Sequence, residues 1–354
     1  MADLVKEKTI AGRRTVLAYT ESSWALLAGA RFLLASIVFV GHLPWFARLP
    51  PVLASMLPLG GKAAVLGFLL ISGVSIGHSY LERPDGYFQR RFLRIYPLYF
   101  VAVGFALLLT YTIGSPYQLP GKTMVAAHWK TNLANFFFLQ DFAVITITYD
   151  GPLWTISLEV FYYLLAPLLS RMRLSVLTGM VFASMLLFTF LPNEWLFGYR
   201  ATRYAWPWFI GFMFATGAPS KAVVLLASIG IVATAINKTD TGEILSWLTV
   251  AMVGAIIFLA GRVKFPVNIR AVLNFLGEQS YPLYLFHIPL CLALFRYAGA
   301  RNAWCFIAAT LICVVMLDYV FDHWLKTWFW KPALNFASRQ KSLLSMGKKA
   351  ALES

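Results

Sequence analysis

A chain of 354 residues with 59% hydrophobic and only 13% charged side chains, and with a positive mean hydropathy, lies outside the composition of a soluble domain. The formal net charge of +15 does not point to nucleic acid, because the basic residues gather in the loops between apolar runs, as they do on the cytoplasmic side of membrane proteins. These totals call for an all-α, polytopic membrane protein seated in a lipid bilayer.

Apolar runs near the length that crosses a hydrocarbon core of about 30 Å as a helix recur ten times. They lie near 24–46, 61–82, 93–113, 152–170, 174–191, 203–218, 221–237, 244–261, 271–295 and 302–322, which predicts about ten transmembrane helices. With the N-terminus inside, twenty Lys and Arg fall in cytoplasmic segments and nine outside, while Arg31 belongs to neither side; an even helix count then puts both termini in the cytoplasm. The expected organisation is a basic N-terminal segment over 1–23, one transmembrane domain over 24–325 and a basic tail over 326–354. The first run follows 23 mixed residues without a small-residue cleavage pattern, so it reads as a retained helix. Cys291, Cys305 and Cys313 show no metal-ligand spacing and read as packing residues, and no metal site is expected.

The first run, "RFLLASIVFVGH", carries Arg31 and His42 eleven residues apart. Close to three turns separate them, so they share one helix face with about 16 Å between them along the axis. Ionisable groups inside an apolar span cost a few kcal/mol and face a partner, the bundle interior or water. Arg31 reads either as a structural ion pair with a buried acid such as Glu159 or as part of a site. His42 reads either as a capped polar residue before Pro44 or as a general base, since an ordinary imidazole titrates near neutral pH. In the second run, "GVSIG" at 73–77 has the letters of a nucleophile elbow without the strand-turn-helix context that such a motif needs. It reads better as Gly73-x-x-x-Gly77 helix packing.

The third run opens on "YFQRRFLRIYPLYF". Arg90, Arg91 and Arg94, followed by Tyr96 and Tyr99, read either as a positive-inside anchor or as a guanidinium cluster able to hold phosphates bidentately beside an aromatic ring. Between the third and fourth runs, the segment 121–142 is amphipathic enough to lie as an interfacial helix. The fourth run, "DGPLWTISLEVFYYLLAP", sets Thr155, Glu159, Tyr162 and Tyr163 on one helix side. In the ninth, "SYPLYLFH" sets Ser280, Tyr284 and His287 within about 60° of one another. Lipid would leave these groups unpaired, so both stripes are expected to point inward.

Taken in order, "RFLLASIVFVGH", "LGFLLISGVSIGHSYL", "RRFLRIYPLY", "LWTISLEVFYYL" and "SYPLYLFHIP" resemble the elements of the membrane acyltransferase-3 family, over about residues 25 to 325. The end of the last run departs from the family pattern, with Asp322 and His323 where a Glu-x-Pro element is common. The resemblance implies a bacterial inner-membrane O-acyltransferase with no tightly bound cofactor, taking acetyl-CoA or another acyl-CoA as donor and a carbohydrate or glycolipid as acceptor. It implies His42, Arg31 and Glu159 as catalytic residues. Arg90, Arg91, Arg94 and Tyr99 would hold the donor, and Trp154, Tyr163, Ser280, Tyr284 and His287 would face the substrate. Assembly as a homo-oligomer is left open. Outer-loop aromatics Trp129, Tyr149, Trp195 and Tyr199 read either as sugar-stacking rings or as interface anchors. Two alternatives remain: an acyltransferase for lipid or small-molecule acceptors, and a transporter or channel whose Arg, Glu and His form a relay. Against the latter, no inverted repeat or matched pair of broken spans is legible.

Overall fold

The computed structural model describes residues 8–10, 13–15, 19–192, 198–241 and 243–321. Asp322, His323, Trp195 and the tail 326–354 lie outside the described residues. Among the described residues there are ten helices of 11 residues or more: α1 (Glu21–His42), α2 (Gly61–Glu82), α3 (Tyr87–Ile113), α4 (Trp154–Leu169), α5 (Leu174–Phe190), α6 (Ala205–Ala215), α7 (Ser220–Ile236), α8 (Ser246–Leu259), α9 (Val267–Tyr297) and α10 (Ala303–Tyr319). The segments Glu21–Trp45, Gly61–Glu82, Tyr87–Ile113 and Thr148–Leu169 are long and apolar enough to cross a membrane, and α5, α6, α7, α8 and α10 are shorter apolar helices. The chain is therefore an all-α membrane protein.

Local chemistry explains where the helices start and stop. Thr20 caps α1 through a capping box with Ser23: the Thr20 hydroxyl accepts from the Ser23 amide at 3.2 Å, and the Ser23 hydroxyl accepts from the Thr20 amide at 3.1 Å. Gly86 (φ 67°) turns the chain left-handed between α2 and α3, a conformation that costs glycine nothing.

The segment 121–142 departs from the expected interfacial helix. Strands β1 (Tyr117–Leu119) and β2 (Lys122–Met124) pair antiparallel around Pro120-Gly121, and only Trp129–Asn135 is helical. The turn-forming Pro-Gly pair overrides the amphipathic pattern.

Helices α2 and α6 touch closely through small residues. A side chain at Gly73 would stand 2.0 Å from the Trp208 carbonyl oxygen, and one at Gly211 would stand 2.1 Å from the Leu70 carbonyl oxygen. Reciprocal glycines thus bring two backbones into contact, as the Gly73-x-x-x-Gly77 reading requires. Every residue of α6 from Ala205 to Phe214 is buried, and α5 and α7 pack around it. On the other side, α1 lies along α9 and also packs on α2. The opposite face of α2 is left to line a cavity bounded by α1, α3, α4 and α9. Cys291 is buried, with its sulfur 3.8 Å from the Thr310 hydroxyl on α10, which fits a packing role.

Candidate active site

Three serines on α2, Ser72, Ser75 and Ser79, fall at i, i+3 and i+7 and so share one face. Each takes a charged side chain from a different helix. Ser75 accepts from the Arg31 guanidinium of α1 and passes its own proton to the Ile71 carbonyl at 2.9 Å. Ser72 donates to Glu159 Oε1 of α4 at 2.7 Å. Ser79 accepts from Arg91 Nη2 of α3 at 2.5 Å. The bonds of Arg31 thus go to Ser75 rather than to Glu159, whose Oε1 accepts from Ser72 and, at 2.5 Å, from Tyr163. A half-buried carboxylate held by two hydroxyls is satisfied without an ion pair.

These residues surround a cavity of about 100 Å³, with Arg31, Arg91, Arg94, Glu159, Tyr163 and Ser280 in its wall and Tyr284 beside them. A volume of this kind admits several water-sized groups. Arg94 is exposed at its rim. The Tyr284 hydroxyl shares a 2.7 Å bond with Thr155 and donates to the Pro152 carbonyl at 3.2 Å.

One turn beyond Tyr284, α9 brings His287 against His42 of α1. His287 Nδ1 lies 3.1 Å from the Leu283 carbonyl and 2.9 Å from that of Tyr284. Two acceptors at one nitrogen assign the proton to Nδ1, so Nε2 presents its lone pair. That lone pair faces His42 Nδ1 at 3.2 Å, and the Val38 carbonyl faces the same nitrogen at 2.9 Å. His42 Nδ1 is therefore the protonated nitrogen, and His42 Nε2 keeps the free lone pair. A neutral imidazole oriented through its other nitrogen is what a general base requires. Trp45 packs edge-on against the His42 ring at 4.6 Å.

Three of the residues anticipated for the site lie elsewhere. Arg90 donates to the carbonyls of Asp85 and Arg83, bracing the α2–α3 turn. Tyr99 is fully buried, donating to the Asn135 carbonyl at 2.6 Å and accepting from Gln140 at 2.7 Å. Trp154 packs on Tyr204, with the Arg200 guanidinium 5.4 Å over its ring. Tyr162 also turns away from its predicted stripe, because one residue is 100° of rotation on a helix; its hydroxyl donates to the Ala201 carbonyl at 2.5 Å. Of the outer-loop aromatics, Tyr149 is buried, bonding the Gly114 carbonyl at 2.5 Å, while Trp129 is exposed. Asp141, in the 114–153 connection, accepts at 2.9 Å from Arg200 of the short helix Tyr199–Arg203. Burial nevertheless pushes the Asp141 carboxyl up to about 6, with Arg200 pulling the other way.

Comparison with known proteins bears on this geometry. A family model described as an acyltransferase domain, Acyl_transf_3, matches residues 25–323. The chain belongs to the acyltransferase-3 family. Acyltransferase MdmB of Streptomyces mycarofaciens is 28% identical over 156 residues, which are 41% of this chain and 39% of that protein. The chain thus spans about two fifths of the length of the curated relative it matches. No solved structure matches the chain. In this acyltransferase-3 protein, Ser72 and Ser75 are among the cavity residues that sequence reasoning passed over. Their spacing on the face away from Gly73 and Gly77 is the signal that could have found them.

Proposed function

We propose that this protein is a multi-pass O-acyltransferase of about ten spans, with both termini cytoplasmic, in a bacterial inner membrane. It moves an acetyl group from cytoplasmic acetyl-CoA to a hydroxyl of a cell-surface or exported carbohydrate. Arg91 and Arg94 at the cavity rim hold the phosphates of the donor. His42 Nε2 takes the acceptor hydroxyl's proton as its oxygen attacks the thioester carbonyl. The ester C–O bond forms, the thioester C–S bond breaks, and coenzyme A leaves as a thiolate that then gains a proton. His287 Nε2 accepts from His42 Nδ1–H and stabilises the imidazolium while it holds that proton. Arg31 and Glu159, each fixed by a serine of α2, set the charge along the passage between donor and acceptor. The observation that carries the reading is the His42 tautomer, which is held by Val38 and His287 and leaves Nε2 as a base beside a basic-rimmed cavity in a family of acyltransferases.

The test is transfer of radiolabelled acetyl from acetyl-CoA to base-labile esters on surface polysaccharide, in membrane vesicles holding native protein or His42→Ala. Label is expected only with native protein, since a general base contributes about 10²- to 10⁴-fold. Undiminished transfer by His42→Ala would remove His42 from the chemistry. Absence of label with folded native protein would remove this donor and acceptor pair.

A further inference from the structure

The cavity stops short of the general base. Toward the His42 end its lining closes on Val65 and Phe68 of α2, Thr155 of α4 and Tyr284 of α9, and neither His42 nor His287 borders it. A pair of rings stands between. Phe68 meets Tyr284 edge-on at 5.7 Å, Tyr284 lies 6.1 Å from the His287 ring, and that ring lies 5.1 Å from His42.

The two rings are held differently. The Tyr284 hydroxyl shares a 2.7 Å bond with Thr155 and reaches the Pro152 carbonyl at 3.2 Å, so its ring is tied to the start of α4. Phe68 has no polar anchor and is only half-buried, while Leu66, Gly67, Leu69 and Leu70 beside it on α2 are buried. Of the pair, Phe68 is the ring with freedom to turn, and the cavity gives it room.

A donor held at the cavity rim reaches this pair. From Ser79, the partner of Arg91, to Phe68, α2 runs about 16 Å at 1.5 Å per residue. The arm of coenzyme A between phosphate and sulfur is about thirteen bonds, which cover about 15 Å at the reach of an extended chain. With its phosphates at Arg91 and Arg94, the donor brings its thioester to Phe68 and Tyr284. Transfer needs the acceptor oxygen within about 3 Å of both His42 Nε2 and the thioester carbonyl carbon. In this structure the two rings separate those atoms.

We propose that Phe68 is the moving leaf of a partition and Tyr284 its fixed post. Phe68 turns away from Tyr284 for transfer, and in the closed position keeps water on the His42 side from the thioester. The two residues thereby determine that the acyl group goes to the acceptor rather than to water. The inference rests on the acyl-transfer reading and extends it to this choice. In the side reaction that the partition prevents, water bonds to the thioester carbonyl carbon as His42 takes its proton, the C–S bond breaks, and acetate and coenzyme A leave.

The test is release of free coenzyme A from acetyl-CoA without acceptor, read as new thiol, by the full-length protein in lipid nanodiscs. Native protein, Phe68→Ala, Tyr284→Phe and the double variant Phe68→Ala with His42→Ala are compared, each with a thermal melt, and acetyl transfer to polysaccharide by native protein is measured alongside. Native protein should release little more than empty discs. Phe68→Ala should raise release at least about tenfold, because His42 then acts on water. Tyr284→Phe cuts the tie to α4 and should raise it about fivefold, the worth of one hydrogen bond. Adding His42→Ala to Phe68→Ala should return release to the native level. If native protein transfers acetyl but neither variant raises release, or the rise persists without His42, the partition is overturned and acyl transfer stands. Native release that is as fast without acceptor as with it also overturns the partition. Native protein that neither transfers acetyl nor releases coenzyme A overturns the donor assignment and the partition together. If the melt shows Phe68→Ala unfolded, Tyr284→Phe, which loses a single oxygen, decides.

Discussion

Replacing His287 with alanine separates positioning from proton transfer. In the resting enzyme the contact between His287 Nε2 and His42 Nδ1, at 3.2 Å, joins two neutral rings and is worth about 0.5–1.5 kcal/mol. When His42 takes the acceptor proton its ring becomes a cation, and the same contact becomes charge-assisted, worth about 1.5–3 kcal/mol. Because the resting contact is lost as well, kcat falls by the difference, about 1–1.5 kcal/mol, or about 5- to 13-fold. The Val38 carbonyl, 2.9 Å from the same nitrogen, still holds the tautomer, so the variant should keep measurable activity where His42→Ala does not. His287→Gln retains an acceptor and should recover part of the loss. Initial rates of labelled acetyl transfer, with donor and acceptor each varied, would show a fall in kcat with KM for acetyl-CoA little changed. His287 is 1% exposed, so a thermal melt in detergent must accompany the kinetics. An unchanged kcat in His287→Ala, or a loss as complete as that of His42→Ala with no rescue by Gln, would refute the positioning role.

Three further outcomes follow from the packing. Gly73→Ala places a methyl 2.0 Å from the Trp208 carbonyl oxygen; helices α2 and α6 must separate, and the melt should show a cost of about 1–3 kcal/mol or more, whereas a melt within error of native protein contradicts the close approach. A double-mutant cycle of Arg31→Met and Ser75→Ala should give a coupling of about 1.5–3 kcal/mol, the worth of a hydrogen bond to a charged group, and simple additivity would show that Ser75 does not hold Arg31. Asp141 is 1% exposed, and its carboxyl is held up to about 6 by burial. The native state therefore binds this proton more tightly than the unfolded chain, and the stability it contributes is present below about pH 4 and lost as pH rises through 6. The difference from an ordinary Asp near 3.9 is worth about 3 kcal/mol. Relative to Asp141→Asn, native protein should lose that much between pH 4 and 7, and parallel stability curves for the two would contradict it.

Much of the site is legible in the order of the residues. An arginine, a glutamate and two histidines inside apolar runs cannot face lipid without a cost of a few kcal/mol, so Arg31, His42, Glu159 and His287 had to point inward. The helical repeat then places Tyr163 with Glu159, and Ser280 with Tyr284 and His287, because azimuth within one helix follows from residue spacing. It is at the ends of such arcs that spacing misleads. Tyr162 and Tyr163 differ by one residue, yet their hydroxyls bond the Ala201 carbonyl in one case and Glu159 in the other. Trp154 and Tyr99 sit in promising company in the chain, but their rings are taken up by Tyr204 and by the stack with Phe138.

Composition and periodicity alone determined that the chain is an all-α membrane protein, where its main apolar helices lie, and which faces carry polar groups inward. Tertiary structure decided the partners: Arg31 with Ser75 rather than Glu159, and His42 with His287, 245 residues away. The physical reason is that a helix's period sets the direction of each side chain about its own axis only. The rotation and height of one helix against another come from many weak packing contacts, here set by the glycines that let α2 and α6 touch.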